Sequence, residues 1–213
     1  MPDQERTEDP PTLPVATMRR AVLTVAALNF GYFFVEASVA LAIGSVSLIA
    51  DSVDFLEDTA VNLLIALALG WSLRNRATAG HVMALILLVP AAAAIWQVVE
   101  KVADPTAPDV TRLIVTAGGA AVINGISALI LLRVRRHSGS LTRAAFLSAR
   151  NDVAVNLAII AMGVVTAVTR SGWPDVVLGT VIVLINVFAA REVWELAAQE
   201  RLAARALAGE EID

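Results

Sequence analysis

Between Ala50 and Asn62 the chain carries Asp51, Asp54, Glu57 and Asp58, four acids within eight residues of otherwise largely apolar sequence. At about 100° per residue, Asp51, Asp54, Asp58 and Asn62 share a sector of about 80° on a helix, while Glu57 points elsewhere. A second stretch spaces Ser148, Asp152 and Asn156 four residues apart, which again aligns them on one face. Carboxylate, hydroxyl and amide oxygens are hard donors, so the chemistry open to these residues is the binding of a divalent cation. Asp54, Asp58, Asp152 and Ser148 can supply four ligand oxygens, with Asn62 and Asn156 as donors that orient them and Asp51 beside them. The chain has no cysteine, so any metal must be held by oxygen or nitrogen.

Elements that could hold such a set follow from composition. The chain has 213 residues, 57% of them hydrophobic, and a mean hydropathy of +0.71. A span consumes about 20 apolar residues, so the length accommodates about six and no second folded domain. Six apolar stretches of membrane length occur, at 18–43, 47–71, 81–102, 112–132, 141–168 and 174–196. Turn chemistry or charge separates them, at Gly44-Ser45, Arg74-Asn75-Arg76, the proline-bearing segment 104–109, and residues 133–140 and 170–173. The expected fold is all-α: a polytopic membrane protein with six transmembrane helices at 18–198. A flexible cytoplasmic tail is expected at 1–17, and a short charged cytoplasmic tail at 199–213. Arg19, Arg20, Arg74, Arg76, Arg133 and Arg143 fall on the side of the N-terminus, against Lys101, Arg112 and Arg170 on the other. The positive-inside rule therefore puts both termini in the cytoplasm, with the cell (plasma) membrane the expected location. Trp71, Trp96, Trp173 and Trp194 lie near predicted helix ends, as headgroup anchors do.

Depth turns the acids into a functional signal. A central Asp costs about 2.5–3.5 kcal/mol to insert, so this set demands compensation by cations, protons or water. On helices of opposite direction, Asp54, Asp58 and Asp152 come to one level about 10 to 17 Å inside a core about 30 Å thick. The segments Asp58-Thr-Ala-Val-Asn62-Leu63 and Asp152-Val-Ala-Val-Asn156-Leu157 are nearly identical, which suits an inverted repeat meeting at the midplane. Asn29, Asn124 and Asn186, one each on spans one, four and six, read as hydrogen-bonding residues that pack helices together.

At these residues the chain resembles the cation diffusion facilitator family, whose members export zinc, manganese, iron, cobalt or cadmium. Gly44-Ser-Val-Ser-Leu-Ile-Ala-Asp51, the Asp54-x-x-x-Asp58 pair, Asp152-Val-Ala-Val-Asn156, Glu36 and Trp173-Pro174-Asp175 carry the resemblance, which covers all six spans. It implies a divalent metal transporter without enzyme activity or prosthetic group, working by efflux through proton-coupled alternating access. Its site would be tetrahedral, on Asp54, Asp58, Ser148 and Asp152, with Glu36 on the pathway. The cargo would be zinc, manganese, iron(II) or cobalt, and protons the counter-substrate. Ser148 departs from the His or Asp of that pattern, so water or Asn151 would assist it and harder ions would be favoured. The family commonly adds a cytoplasmic metal-binding domain after the sixth helix, and the short tail here implies a form lacking it. Partners are then the metal ion, protons and the lipid bilayer, with no nucleic acid. Gly118-Gly119 and Gly125 permit close helix contact within the monomer or in a homodimer.

Arg150, near mid-depth, needs an acidic partner, and Glu36 or Glu57 is expected to supply it in a structural ion pair. The alternative reading is a non-transporting membrane scaffold or degenerate family member whose acids are neutralised by Arg150. No Gly-x-Gly-Asp, Gly-x-Ser-Gly or His-Glu-x-x-His motif occurs, which leaves no signature of an intramembrane hydrolase.

Overall fold

The structure, a computed structural model, describes residues 14–68, 73–134 and 140–188 together with Arg191. The described residues are helical apart from short connections, and no strand occurs among them. Helix α1 spans Val15–Ile43, α2 Val46–Ala68, α3 Leu73–Ala103, α4 Val110–Val134 and α5 Ser140–Thr169, and α6 covers Trp173–Phe188. Among the described residues three helical stretches are long and apolar enough to cross a membrane: Val15–Ile43, Val110–Val134 and Ala144–Thr169. Within its 23 residues α2 holds Asp51, Asp54, Glu57 and Asp58, which lower its apolarity without interrupting its helical backbone.

Two boundaries differ from expectation. Helix α1 begins at Val15, so residues 15–17 belong to the helix and not to a tail. Helix α3 begins at Leu73, so Arg74-Asn75-Arg76 lies inside it and is no break. Arginine and alanine are good helix formers, and a hydropathy window detects where a chain leaves the bilayer, not where its helix stops. The rest of the N-terminal tail, the tail at 199–213, Trp71 and Trp194 lie outside the described residues.

Short connections make sequential helices antiparallel. Gly44 ends α1 at φ 64°, its N–H donating to the Ala40 carbonyl, and α2 starts two residues later. Helix α1 packs on α2 and α4, α2 also on α3 and α5, and α4 on α5. Two apolar clusters hold the bundle. Val22, Val25, Ile65, Leu131 and Phe146 pack where the N-terminus of α1 meets the C-termini of α2 and α4. Ala40, Leu48, Val53, Leu113, Ile159 and Ile182 pack toward the opposite end. Between them lies a polar belt that includes Asn29, Glu36, Asp51, Asp58, Ser127 and Asn156, all buried. Trp96 and Trp173 are exposed, as headgroup anchors would be.

Helix α6 is fastened to the start of α2 by one carboxylate. Asp175 accepts hydrogen bonds from the Ser45 hydroxyl at 2.8 Å, the Ser47 hydroxyl at 2.5 Å, the Val46 N–H at 2.8 Å and the Ser47 N–H at 3.2 Å. The two N–H groups belong to the first turn of α2, where no intrahelical acceptor exists, so the carboxylate satisfies orphan donors and complements the helix dipole. One turn later Gly179 lets the helices approach. A Cβ there would sit 2.6 Å from the Val46 carbonyl carbon. Farther along, the Asn186 amide donates to the Ala50 carbonyl at 2.9 Å, the packing role expected of it. Asp175→Ala leaves these donors buried without an acceptor and should lower stability by about 2–3 kcal/mol, with Asp175→Asn intermediate. Thermal unfolding of the detergent-solubilised protein measures this, and an unchanged midpoint in Asp175→Ala would show that the clamp contributes nothing.

Candidate functional site

Asp58, on the inward face of α2, is where four helices meet. The Asn29 amide of α1 donates to its Oδ2 at 3.2 Å, and the Ser148 hydroxyl of α5 donates to its Oδ1 at 3.1 Å. Ser127 of α4 donates in turn to the Asn29 carbonyl oxygen at 3.5 Å. Small residues allow this convergence. Ala149 is wholly buried beside Ser148, and Thr59 reaches the Ala26 carbonyl of α1 at 3.4 Å.

Asp152, one turn beyond Ser148 on α5, lies within hydrogen-bonding reach of Ser148 and of Asp58. Among the charges around Asp54, that of Asp152 acts on it most strongly. The four expected ligands, Asp54, Asp58, Ser148 and Asp152, thus face one another across the α2–α5 contact. Asp58 is buried while Asp54, Ser148 and Asp152 are half-buried, so the site has one accessible side. Among the described residues no three of His, Cys, Asp or Glu are gathered as a metal ion would require. The carboxylates are neighbours without forming a coordination shell, and Ser148 spends its proton on Asp58.

Asn62 and Asn156 behave alike, as their matching segments suggest, but not as donors to the ligands. Each amide nitrogen donates to the carbonyl four residues earlier in its own helix, Asn62 to Asp58 at 2.8 Å and Asn156 to Asp152 at 2.9 Å. The two side-chain oxygens are buried without a hydrogen-bond partner. A backbone carbonyl one turn away is always within reach of an Asn amide on a helix, and that local bond wins over the interhelical one.

The expected ion pair of Arg150 with Glu36 does not form. Arg150 is exposed and its guanidinium donates to Asn151 Oδ1 at 3.4 Å. Glu36 is fully buried beside Asp51, and neither of its oxygens meets a donor. Two residues from both Ser148 and Asp152, Arg150 is turned about 200° away from them on the helix and cannot share their face. Asn151 is exposed as well and stands away from the site. Glu57 is half-buried.

Asn29 and Ser127 touch the site although the residue pattern suggested only packing for Asn29 and nothing for Ser127. A signal was present: Asn29 and Glu36 are seven residues apart and so share a face of α1. Gly119, by contrast, serves the monomer. A Cβ there would overlap the Tyr32 hydroxyl, which donates to the Thr116 carbonyl at 2.7 Å.

Comparison with protein families matches residues 22–199 to the cation efflux transmembrane domain, a span that takes in most of α1 and all of α2 to α6. Comparison with curated proteins gives no match. Asn29→Ala removes one of the donors to buried Asp58 and should lower stability by about 1–2 kcal/mol. Asn29→Asp, which sets a second anion against Asp58, should lower it further. The reverse order of thermal midpoints in detergent would show that Asn29 does not hold the carboxylate.

Proposed function

The chain belongs to the cation efflux family, and from that premise we propose that it carries a divalent metal ion across the membrane by proton-coupled alternating access, with Asp54, Asp58, Ser148 and Asp152 as its cargo site. Asp58 is the observation that supports this most directly. It is buried at a four-helix junction, bonded to Ser148 and adjacent to Asp152, and the donors around it are too few to neutralise the group of carboxylates. Anions at such a depth are tolerated where a mobile positive charge visits them.

Bound cargo would offset the carboxylate charge on α2 and α5 together, which links cargo occupancy to the packing of those two helices. Protons compete for the same oxygens, so their arrival from the outer side would release the ion and let the protonated site return. The arginine asymmetry favours cytoplasmic termini, and efflux is the direction the family carries. With Ser148 in place of an imidazole or carboxylate, every donor is oxygen, which favours manganese, iron(II) or magnesium over softer ions without excluding zinc or cobalt.

A second reading is a family member that no longer transports. Ser148 and the open arrangement of the carboxylates favour it. Metal-stimulated proton release from the purified protein separates the two, since a scaffold releases none. For the transport reading, Asp58→Asn and Asp152→Asn should each abolish metal flux in proteoliposomes while leaving a folded, monodisperse protein. Flux at the unaltered protein's level in either variant refutes the site. Ser148→His should tighten zinc binding by about tenfold, or 1.4 kcal/mol, as read by calorimetry.

A further inference from the structure

We infer that Glu36, Asp51 and Asn156 form a second station for an oxygen-preferring divalent cation, about two helical turns outward of Asp58, a deepening that rests on the transport reading above. The three side chains come from α1, α2 and α5, and each is 0% exposed. Asp51 lies within hydrogen-bonding reach of both Glu36 and Asn156, although no bond of ordinary geometry forms between them. Both oxygens of Glu36, both of Asp51 and the side-chain oxygen of Asn156 have no hydrogen-bond partner.

The protein itself shows how it treats a carboxylate that is only structural. Asp175 is equally buried and accepts four hydrogen bonds. Glu36 and Asp51 have five orphan oxygens between them and Asn156, and the polar groups nearby are committed elsewhere. The Tyr32 hydroxyl donates to Thr116, the Ser52 hydroxyl to the Ile49 carbonyl, and the Asn156 amide nitrogen to Asp152. Lys101 donates to Thr106, and Arg150 faces outward. Buried polar atoms in natural proteins are almost always paired, so a set of five calls for a bound partner. Two carboxylates sum to two negative charges, which one divalent ion cancels, and carboxylate with amide oxygens is the ligand chemistry such ions prefer. Asn156 adds a neutral oxygen from a third helix, so the set is not a mere acidic pair.

Position makes the station part of a path. Asn29 and Glu36 on α1, and Asp58 and Asp51 on α2, are each seven residues apart, or about 10 Å along the helix. Asp54 stands between, one turn from each level. An ion leaving Asp58 toward the outer face passes oxygen at every turn of α2, which avoids an unsolvated step in the low-dielectric interior.

Manganese(II) added to the full chain in lipid nanodiscs tests this by counting bound ions and by electron paramagnetic resonance. Two ions should bind per chain, and at about 10 Å apart their dipolar coupling should broaden the spectrum. Asp58→Asn should leave one ion, at the outer station. Glu36→Gln with Asp51→Asn should also leave one, at the inner site, and either change should remove the broadening. Circular dichroism and gel filtration check folding, and the milder Glu36→Asp should keep two ions at lower affinity. One ion in the unaltered protein, lost in Asp58→Asn and kept in the double variant, overturns the outer station while leaving the transport site intact. One ion lost only in the double variant upholds the station and sinks the inner site. A protein that binds no manganese(II) overturns both.

Discussion

Carboxylates cannot stay ionised in the middle of a helical bundle unless something positive or strongly polar meets them, and this constraint governs the arrangement of all the helices around α2. The protein meets it in three ways. Asp175 is answered by fixed donors, two hydroxyls and the first N–H groups of α2. Asp58 is partly answered, by Asn29 and Ser148. Asp51 and Glu36 lie against each other and Asn156, and no hydrogen bond of ordinary geometry reaches their oxygens. Order of satisfaction along the molecule thus separates the carboxylate that fastens the fold from those that the protein's own donors satisfy only in part.

That gradation depends on close helix contact. The clamp at Asp175 works because Gly179 lets α6 come against the backbone of α2. The junction at Asp58 forms because α1–α2 and α4–α5 each pack as antiparallel neighbours, which brings residues of four helices together there. Apolar clusters pack on either side of the polar belt. Asn62 and Asn156, each bonded to its own helix four residues back, give α2 and α5 the same local geometry at their meeting point. A site divided between two helices is suited to alternating access, because a small shift of one relative to the other changes the number of oxygens that converge.

Much of this was legible in the residues. Hydropathy over windows of membrane length located all six helices, because a mean over such a window tolerates a few polar residues, even the four acids of α2, and is a one-dimensional property. Helical angle placed Asp51, Asp54 and Asp58 on one stripe and Ser148, Asp152 and Asn156 on another, and depth put the stripes at one level. The structure bonds Ser148 to Asp58 and sets Asp152 and Asp54 beside them. Arg150 is less direct: the cost of burying it suggested an acidic partner inside, and the structure rules out Glu36 in that role, setting Arg150 on the outward side of its helix beside Asn151.

Tertiary structure alone decided which polar groups meet. Periodicity reports the face a side chain occupies, but not the rotation of the neighbouring helix, so the shared face of Asn29 and Glu36 on α1 did not say that Asn29 rather than Asn62 would hold the Asp58 carboxylate, or that Glu36 would lie against Asp51. Nor could it show that Asp175, far along the chain, closes the first turn of α2, since that bond spans 130 residues and depends on the path of four intervening helices. Local spacing therefore determined where oxygen would be concentrated in the membrane. Helix packing determined which of those oxygens are satisfied by the protein and which are left for something else.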